Sequence, residues 1–397
     1  MSMPVTGDQS LIKKINQSIV LEMIRNHCPI SRAQIAELTG LTKGTVSTIV
    51  NDLMKDNLVY EIGPGRSSGG RRPVMLMFNK AAGYSIGVDL GVNYLLTVLT
   101  DLQGNIVLEQ TSLYQDLSYD EILSLLKKDL RTVIDQAPSS TYGIIGIGIG
   151  IPGIVGNDGT VLFTPNLGWK DVDLKGVINN EFQVPVWIDN EANTGALGEK
   201  LYGAGREASD LVYVSVGIGI GTGIVLNGEL YKGISGFSGE IGHTTIEVNG
   251  KKCRCGNKGC WELYASEHAL LSQAKSLPMF RGGDNREIDL ESLIRLADEG
   301  HTEVINLFNQ IGEYLGIGIM NIALSFNPEL VIIGNRLSKA QQWIVNPVKK
   351  VLSNRLMPYH REKLRVEFSN LGVYSSALGA SSLAISNFFS DSKVTLE

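Results

Sequence analysis

The sequence predicts a chain in two parts: a small helical head closed by a β-wing, then a two-lobed α/β body. Three observations point there. Residues 11–55 hold three helix patterns separated by capping residues, and residues 58–78 read as two strands around a Gly/Ser loop. From Ala82 onward, glycine-punctuated apolar strands come in two similar sets, the pattern of an α/β body with a cleft between two lobes. A chain of 397 residues also exceeds what a single core usually supports.

In the head, Ile12, Ile15, Ile19, Met23 and Ile24 share one face of a helix over Leu11 to Asn26, which Pro29 stops. Ser31 and Gln34 have capping-box spacing for a second helix that ends at Gly40. Thr42 caps a third, whose buried stripe is Val46, Ile49, Val50 and Leu53, with Lys43, Thr45, Ser47, Thr48 and Asn51 left outward. Two short helices joined by a tight turn, the second rich in hydroxyl, amide and cationic groups, form a helix-turn-helix suited to a DNA major groove. Leu58 to Ile62 and Met75 to Phe78 flank a wing bearing Arg66, Arg71 and Arg72, which can grip phosphates or enter a minor groove. Residues 1–80 are thus read as a winged helix-turn-helix, against the alternative of a helical dimerisation module with a basic linker. The charge agrees: ten Lys/Arg against six Asp/Glu in residues 1–80 give +4, while the rest of the chain carries 25 against 35, or −10.

The body's strands are expected at Tyr84 to Leu90, Tyr94 to Thr100, Asn105 to Thr111 and Ile144 to Ile149, with a helix near Tyr119 to Ile134. The second set is Leu211 to Gly217, Gly221 to Asn227 and Leu330 to Ile333. The longest apolar stretch, Gly143 to Gly156, is too short and glycine-rich to span a bilayer, so no membrane is expected. Four cysteines, with Cys28 left as a free thiol, suit a reducing cytoplasm.

Three of those cysteines, Cys253, Cys255 and Cys260, fall within eight residues, and His243 precedes them. Three thiolates and an imidazole make one closed tetrahedral zinc site, structural rather than catalytic. Gly256 and Gly259 let the backbone turn tightly round it. With four ligands found, Glu240 and Glu262 are free for another task, such as accepting hydrogen bonds from vicinal hydroxyls.

Glu240-x-Gly242-His243 followed by Cys253-x-Cys255-Gly256-x-x-Gly259-Cys260-x-Glu262 resembles the signature of the ROK family of repressors, open reading frames and sugar kinases. The resemblance implies that zinc holds a loop against a sugar pocket and that Glu240, His243 and Glu262 bind sugar hydroxyls. It also implies actin-like, ribonuclease H-like lobes over residues 81–397. The first lobe is expected at 81–189 with a C-terminal helix at 375–397, and the second at 190–374. The winged helix in front matches the repressor branch.

The family's kinases place Asp-x-Gly-Gly-Thr where this chain has Asp89-Leu90-Gly91-Val92-Asn93. They have Gly-Thr-Gly-Ile-Gly-Gly-Gly where this chain runs from Gly217 through Ile218 to Gly223. A third glycine-rich stretch is reduced to Gly334-Asn335-Arg336. Phosphate loops need bare amides and a hydroxyl, so these departures predict that the chain is not an enzyme. The sugar side is better kept. Asp189-Asn190-Glu191-Ala192-Asn193 stands where kinases carry Glu-Asn-Asp-Ala-Asn, and Phe163-Thr164-Pro165-Asn166 matches a segment that reaches the pocket. Asn166, Asn190 and Glu191 therefore join the sugar-binding candidates, although Asn190 and Glu191 also suit a helix N-terminus that needs capping.

Ser67 to Leu76, Gly233 to Glu240 and Cys260 to Ser266 resemble the repressor branch that answers to D-xylose, which implies D-xylose as inducer. Glu191, one methylene longer than aspartate, shrinks the pocket in agreement with a five-carbon sugar. The expectation is a homodimeric repressor that leaves a palindromic operator when D-xylose binds. A sugar kinase, or a repressor for glucose or an amino sugar, are the alternatives.

Overall fold

The head forms from the local signals just described. A computed structural model describes residues 9–65, 72–280 and 288–390. Helix α1 (Gln9–His27) is followed by a short strand β1 (Ile30–Ser31), helices α2 (Arg32–Thr39) and α3 (Lys43–Lys55), and strands β2 (Val59–Pro64) and β3 (Val74–Phe78). Ser31 and Gln34 do form the capping box on α2, and the Thr42 hydroxyl accepts from the Thr45 amide to start α3. The strands pair antiparallel in the order β1-β3-β2, with Ile30 opposite Leu76 and Val59 opposite Phe78. Arg66 and Arg71 lie outside the described residues.

The first lobe is a five-stranded sheet. Strands β4 (Tyr84–Leu90), β5 (Tyr94–Asp101) and β6 (Ile106–Leu113) run as an antiparallel meander; helix α4 (Tyr119–Asp135) then leads to β7 (Ile144–Ile151). A small antiparallel sheet of β8 (Ile154–Val155), β9 (Val161–Thr164) and β10 (Trp169–Val172) intervenes, then α5 (Leu174–Phe182) and β11 (Val186–Asn190). The order is β11-β7-β4-β5-β6, with β7 and β11 parallel to their neighbours.

Helix α6 (Glu191–Tyr202) crosses to the second lobe, where β12 (Leu211–Val216), β13 (Ile220–Leu226) and β14 (Glu229–Leu230) repeat the meander. After α7 (Glu262–Ala265), α8 (Glu267–Ala274), α9 (Leu290–Asp298) and α10 (Thr302–Phe326) come β15 (Leu330–Gly334), α11 (Gln341–Arg355), α12 (Pro358–Arg361) and β16 (Arg365–Phe368). This sheet runs β14-β13-β12-β15-β16, the first lobe's order repeated, with the last two strands again parallel. The internal duplication read from the strand sets is thus a duplication of topology. Among the described residues, no helix is long and apolar enough to cross a membrane.

Helix α13 (Tyr374–Ser390) returns to the first lobe and crosses α6. The crossing is built from small residues because the backbones touch: a Cβ on Gly379 would run into the Thr194 carbonyl, and one on Gly198 into that of Ser375. Polar ties hold α13 to the sheet, where Ser85 Oγ donates to the Ser381 carbonyl at 3.0 Å. The far end of α13 enters the head. Ile385 and Phe389 share one apolar cluster with Ile24, Ile49, Leu76 and Phe78. The Phe78 and Phe389 ring centroids stand 6.2 Å apart, and Tyr142 Oη donates to the Asp56 carbonyl at 2.7 Å. One helix therefore spans from the lobe crossing to the core of the head.

Candidate metal centre and sugar cleft

His243 ends a short 3-10 turn, Glu240–His243, while Cys253, Cys255 and Cys260 sit on the loop that leads into α7. One ligand atom from each of the four lies within 4.8 Å of all the others. Cys253 Sγ is 3.7 Å from His243 Nδ1, and Cys255 Sγ is 3.7 Å from Cys260 Sγ. A tetrahedral ion with metal–sulfur bonds of about 2.3 Å sets its ligand atoms roughly 3.7 Å apart, so the donor set could hold a metal ion. Burial pushes the Cys253 and Cys260 thiols up, so a thiolate at either position needs a cation beside it. Gly256 and Gly259 take left-handed backbone, φ +95° and +70°, where the loop turns. Trp261, fully buried, donates Nε1–H to the Tyr314 carbonyl at 2.8 Å and so fastens the loop to α10.

Nδ1 of His243 faces the sulfur atoms and Nε2 faces Glu240, 3.8 Å from Oε2. Glu262 Oε1 stands 3.3 Å from His243 Nδ1 and 3.1 Å from Cys253 Sγ, at the edge of the ligand set rather than apart from it. Its other oxygen lies against the β12–β13 turn, 2.8 Å from where a Cβ on Gly219 would be. Burial raises the Glu240 carboxyl, the nearby imidazole lowers it, and the Glu262 charge raises it. Glu240, His243 and Glu262 thus form one group.

The same loop reaches the other lobe. Arg254 Nη1 donates to Asn166 Oδ1 at 3.0 Å, which places Asn166, in the turn between β9 and β10, against the metal loop. Lys232, after β14, meets the buried Asp189 carboxylate at 2.5 Å, a second bridge between lobes. Neither Arg254 nor Lys232 stands out in the sequence, where the only cue for Lys232 is its place just before the glycine-rich stretch from Gly233.

Asn190 caps α6: its Oδ1 accepts from the amides of Ala192 and Asn193, and its Nδ2 donates to the Gly153 carbonyl. Glu191 turns away from the Glu240 group. Its Oε1 accepts from Ser215 Oγ at 2.5 Å and from Asn335 Nδ2 at 3.0 Å, side chains at the ends of β12 and β15. Asp89 belongs to this second group. It accepts from Tyr94 Oη at 2.6 Å and from Ser376 Oγ at 3.0 Å, and burial together with the Glu191 charge pushes its carboxyl up to about 7. The Tyr94 ring covers Gly91, and Tyr114 Oη donates to the Gly91 carbonyl at 2.5 Å. The loop at Asp89 to Asn93 is therefore packed by aromatic rings as well as altered in sequence.

On the head, Lys43, Thr48 and Asn51 of α3 are exposed, as is Arg72 on the wing. Thr45 and Ser47 are half-buried, and the Thr45 hydroxyl is turned back to the Thr42 cap at 2.9 Å. Asn51 Oδ1 accepts from Arg32 Nη2 at 3.3 Å, and Arg32 also pairs with Glu61 at 2.8 Å.

The family model for ROK matches residues 85–387. The chain belongs to the ROK family. A MarR family model matches residues 14–72, the segment that holds the three helices in front of the ROK body. A "Xylose repressor" from Bacillus spizizenii is 46% identical over 382 residues, covering 96% of this chain and 98% of that protein. Among solved structures, a ROK family transcriptional regulator, a homologue of the E. coli MLC protein, aligns with a TM-score of 0.79 at 27% identity, over 96% of this chain and 97% of that one. A ROK family glucokinase from Streptomyces griseus, solved with glucose and AMPPNP, aligns with a TM-score of 0.70 at 27% identity over 76% of this chain and 99% of the kinase. This chain therefore carries a MarR-type winged helix in front of a ROK body that shares the kinase fold.

Proposed function

We propose that this ROK protein is a cytoplasmic transcriptional repressor that binds a palindromic operator as a homodimer and releases it when D-xylose enters the cleft. The observation that carries the reading is the gathering of Glu240, His243 and Glu262 on a loop with four metal-ligating side chains. Two fixed carboxylates can each accept from a pair of vicinal hydroxyls, and a histidine held through Nδ1 leaves Nε2 for a third contact. His243, Cys253, Cys255 and Cys260 would hold structural zinc, which supplies rigidity to the loop and no chemistry to the sugar. Asn166 extends the group across the cleft. Glu191, expected among the sugar-binding residues, gives its carboxylate to Ser215 and Asn335 instead and is left out of this group. The name of the Bacillus spizizenii relative supports xylose as the sugar.

The path from cleft to DNA is mechanical. Sugar bridging the two lobes changes their angle at the α6–α13 crossing, and α13 ends in the core of the head. The two heads of a dimer then lose the spacing that suits two half-sites, with the α3 residues Lys43, Thr45, Ser47, Thr48 and Asn51 and the wing arginines Arg66, Arg71 and Arg72 as the DNA-facing groups. The inducer can weaken operator binding only by its preference for the non-binding form, about 1 to 3 kcal/mol for such a coupling. Operator affinity measured at fixed salt with and without saturating D-xylose tests this. A drop of about 5- to 150-fold is expected, and an unchanged affinity refutes it. Glucose or N-acetylglucosamine acting in its place would reassign the sugar and leave the mechanism.

A further inference from the structure

A cavity of about 580 Å³ opens where the head meets the hinge helices. Its walls come from several parts of the structure: α1 supplies Arg25 and Asn26, the β5–β6 turn supplies Gln103, the end of α6 supplies Tyr202, the turn after it Arg206, and α13 supplies Ser386. None of the residues lining it belongs to the metal loop or to the cleft.

The two arginines set its character. The Arg25 guanidinium lies over the Phe389 ring, 5.4 Å from the centroid, and Arg206 is fixed at Nε by a 3.3 Å hydrogen bond to the Leu201 carbonyl. Both contacts anchor the guanidinium and leave its terminal N–H groups available. Among the described residues neither arginine forms an ion pair, although such pairs are frequent elsewhere on the chain. Both guanidiniums line the one cavity beside Tyr202, whose hydroxyl burial raises, Arg25 lowers, Asp101 raises and Arg206 lowers. Glu22 is the sole carboxylate among the lining residues; it is exposed and pairs with neither arginine. Two unpaired guanidiniums on one cavity are the arrangement that grips an oxyanion through several N–H donors at once. The amides of Asn26 and Gln103 and the Ser386 hydroxyl add neutral donors and acceptors beside them. The volume fits a small molecule rather than a peptide or a nucleotide chain.

We propose that this cavity is a second effector site, for a small polyol that carries a phosphate or carboxylate group. Because its walls belong to the head and to both hinge helices, an occupant ties α1 to α6 and α13 and favours one docked position of the head. The site stands on observations separate from those behind the sugar cleft.

The test is calorimetric titration of the full-length, metal-loaded protein with glycerol phosphate, inorganic phosphate and glycerol at constant ionic strength, repeated on Arg25→Gln, Arg206→Gln and Glu240→Gln. Thermal midpoints check that each variant is folded. Glycerol phosphate should bind, inorganic phosphate should bind more weakly, and glycerol should give no heat. Each arginine variant should lose at least tenfold in affinity for glycerol phosphate, while Glu240→Gln keeps it. No heat from either anion, or equal affinity in both folded arginine variants, overturns the site. Loss in Glu240→Gln alone overturns it by placing the anion in the cleft, and phosphate binding as tightly as glycerol phosphate overturns the polyol.

Discussion

The two ends of the cleft lie on lobes that share one topology, yet they have been treated in opposite ways. At one end Glu240, His243 and Glu262 stand on a loop that four metal-ligating side chains and the buried Trp261 hold in place, with acceptors turned outward. At the other, the buried Asp89 and the half-buried Glu191 are tied inward by Tyr94, Ser376, Ser215 and Asn335, and aromatic rings pack over Gly91. A group whose hydrogen bonds are met by its own chain has little left to offer a ligand. On the proposed function, a kinase fold keeps recognition at the Glu240 end while Asp89 and Glu191 become part of the joint between lobes.

The comparison breaks first at the metal loop. Cys255→Ser should lose the metal, lower stability by about 3 kcal/mol or more, and abolish the heat of D-xylose binding, as measured by metal analysis, thermal melting and calorimetry. Glu240→Gln should cost roughly 2 to 3 kcal/mol of sugar affinity, about 30- to 150-fold, with metal content and melting unchanged. Glu262→Ala should lose the sugar likewise. Metal loss there to the extent seen in Cys255→Ser would move Glu262 from the sugar group to the ligand set it touches.

The buried end answers to pH instead. Asp89 in the folded chain is raised to about 7, so the unfolded chain gives up this proton first. The stability Asp89 contributes is full below about pH 4 and is lost as pH rises through about 7. Between pH 5 and pH 8 that loss is about 2 to 3 kcal/mol, and urea midpoints of Asp89→Asn should lack that share of the pH dependence. An unchanged pH profile would place Asp89 outside the buried network. The smallest effect is expected on the head, where Thr48→Ala should weaken operator binding by about fivefold, roughly 1 kcal/mol, and leave sugar binding as it was.

What could be read from the sequence follows the range of the signal. The α2 and α3 caps at Ser31 and Thr42 act over three residues and were legible, and the eight-residue spacing of Cys253, Cys255 and Cys260 pointed to a cluster that the structure gathers with His243 and that could hold a metal ion. Strands β4, β7, β12 and β15 were placed to within two residues because each is an apolar run bounded by glycine or polar residues. The contacts that join the parts were not legible: Phe78 on Phe389, Arg254 on Asn166 and Lys232 on Asp189 each link residues far apart in the chain, and no short pattern announces them. Glu191 shows the same limit. Its place at the start of α6 was readable, but its direction depends on Ser215 and Asn335, which only the folded sheets bring beside it.

The central claim is that the cleft keeps its sugar end and has given up its phosphate end. Calorimetric titration of the metal-loaded protein with D-xylose, and separately with ATP and magnesium, addresses it directly. Saturable heat with D-xylose and none with ATP is the predicted result. ATP binding with no response to D-xylose would contradict the account and return the chain to the kinases whose fold it shares.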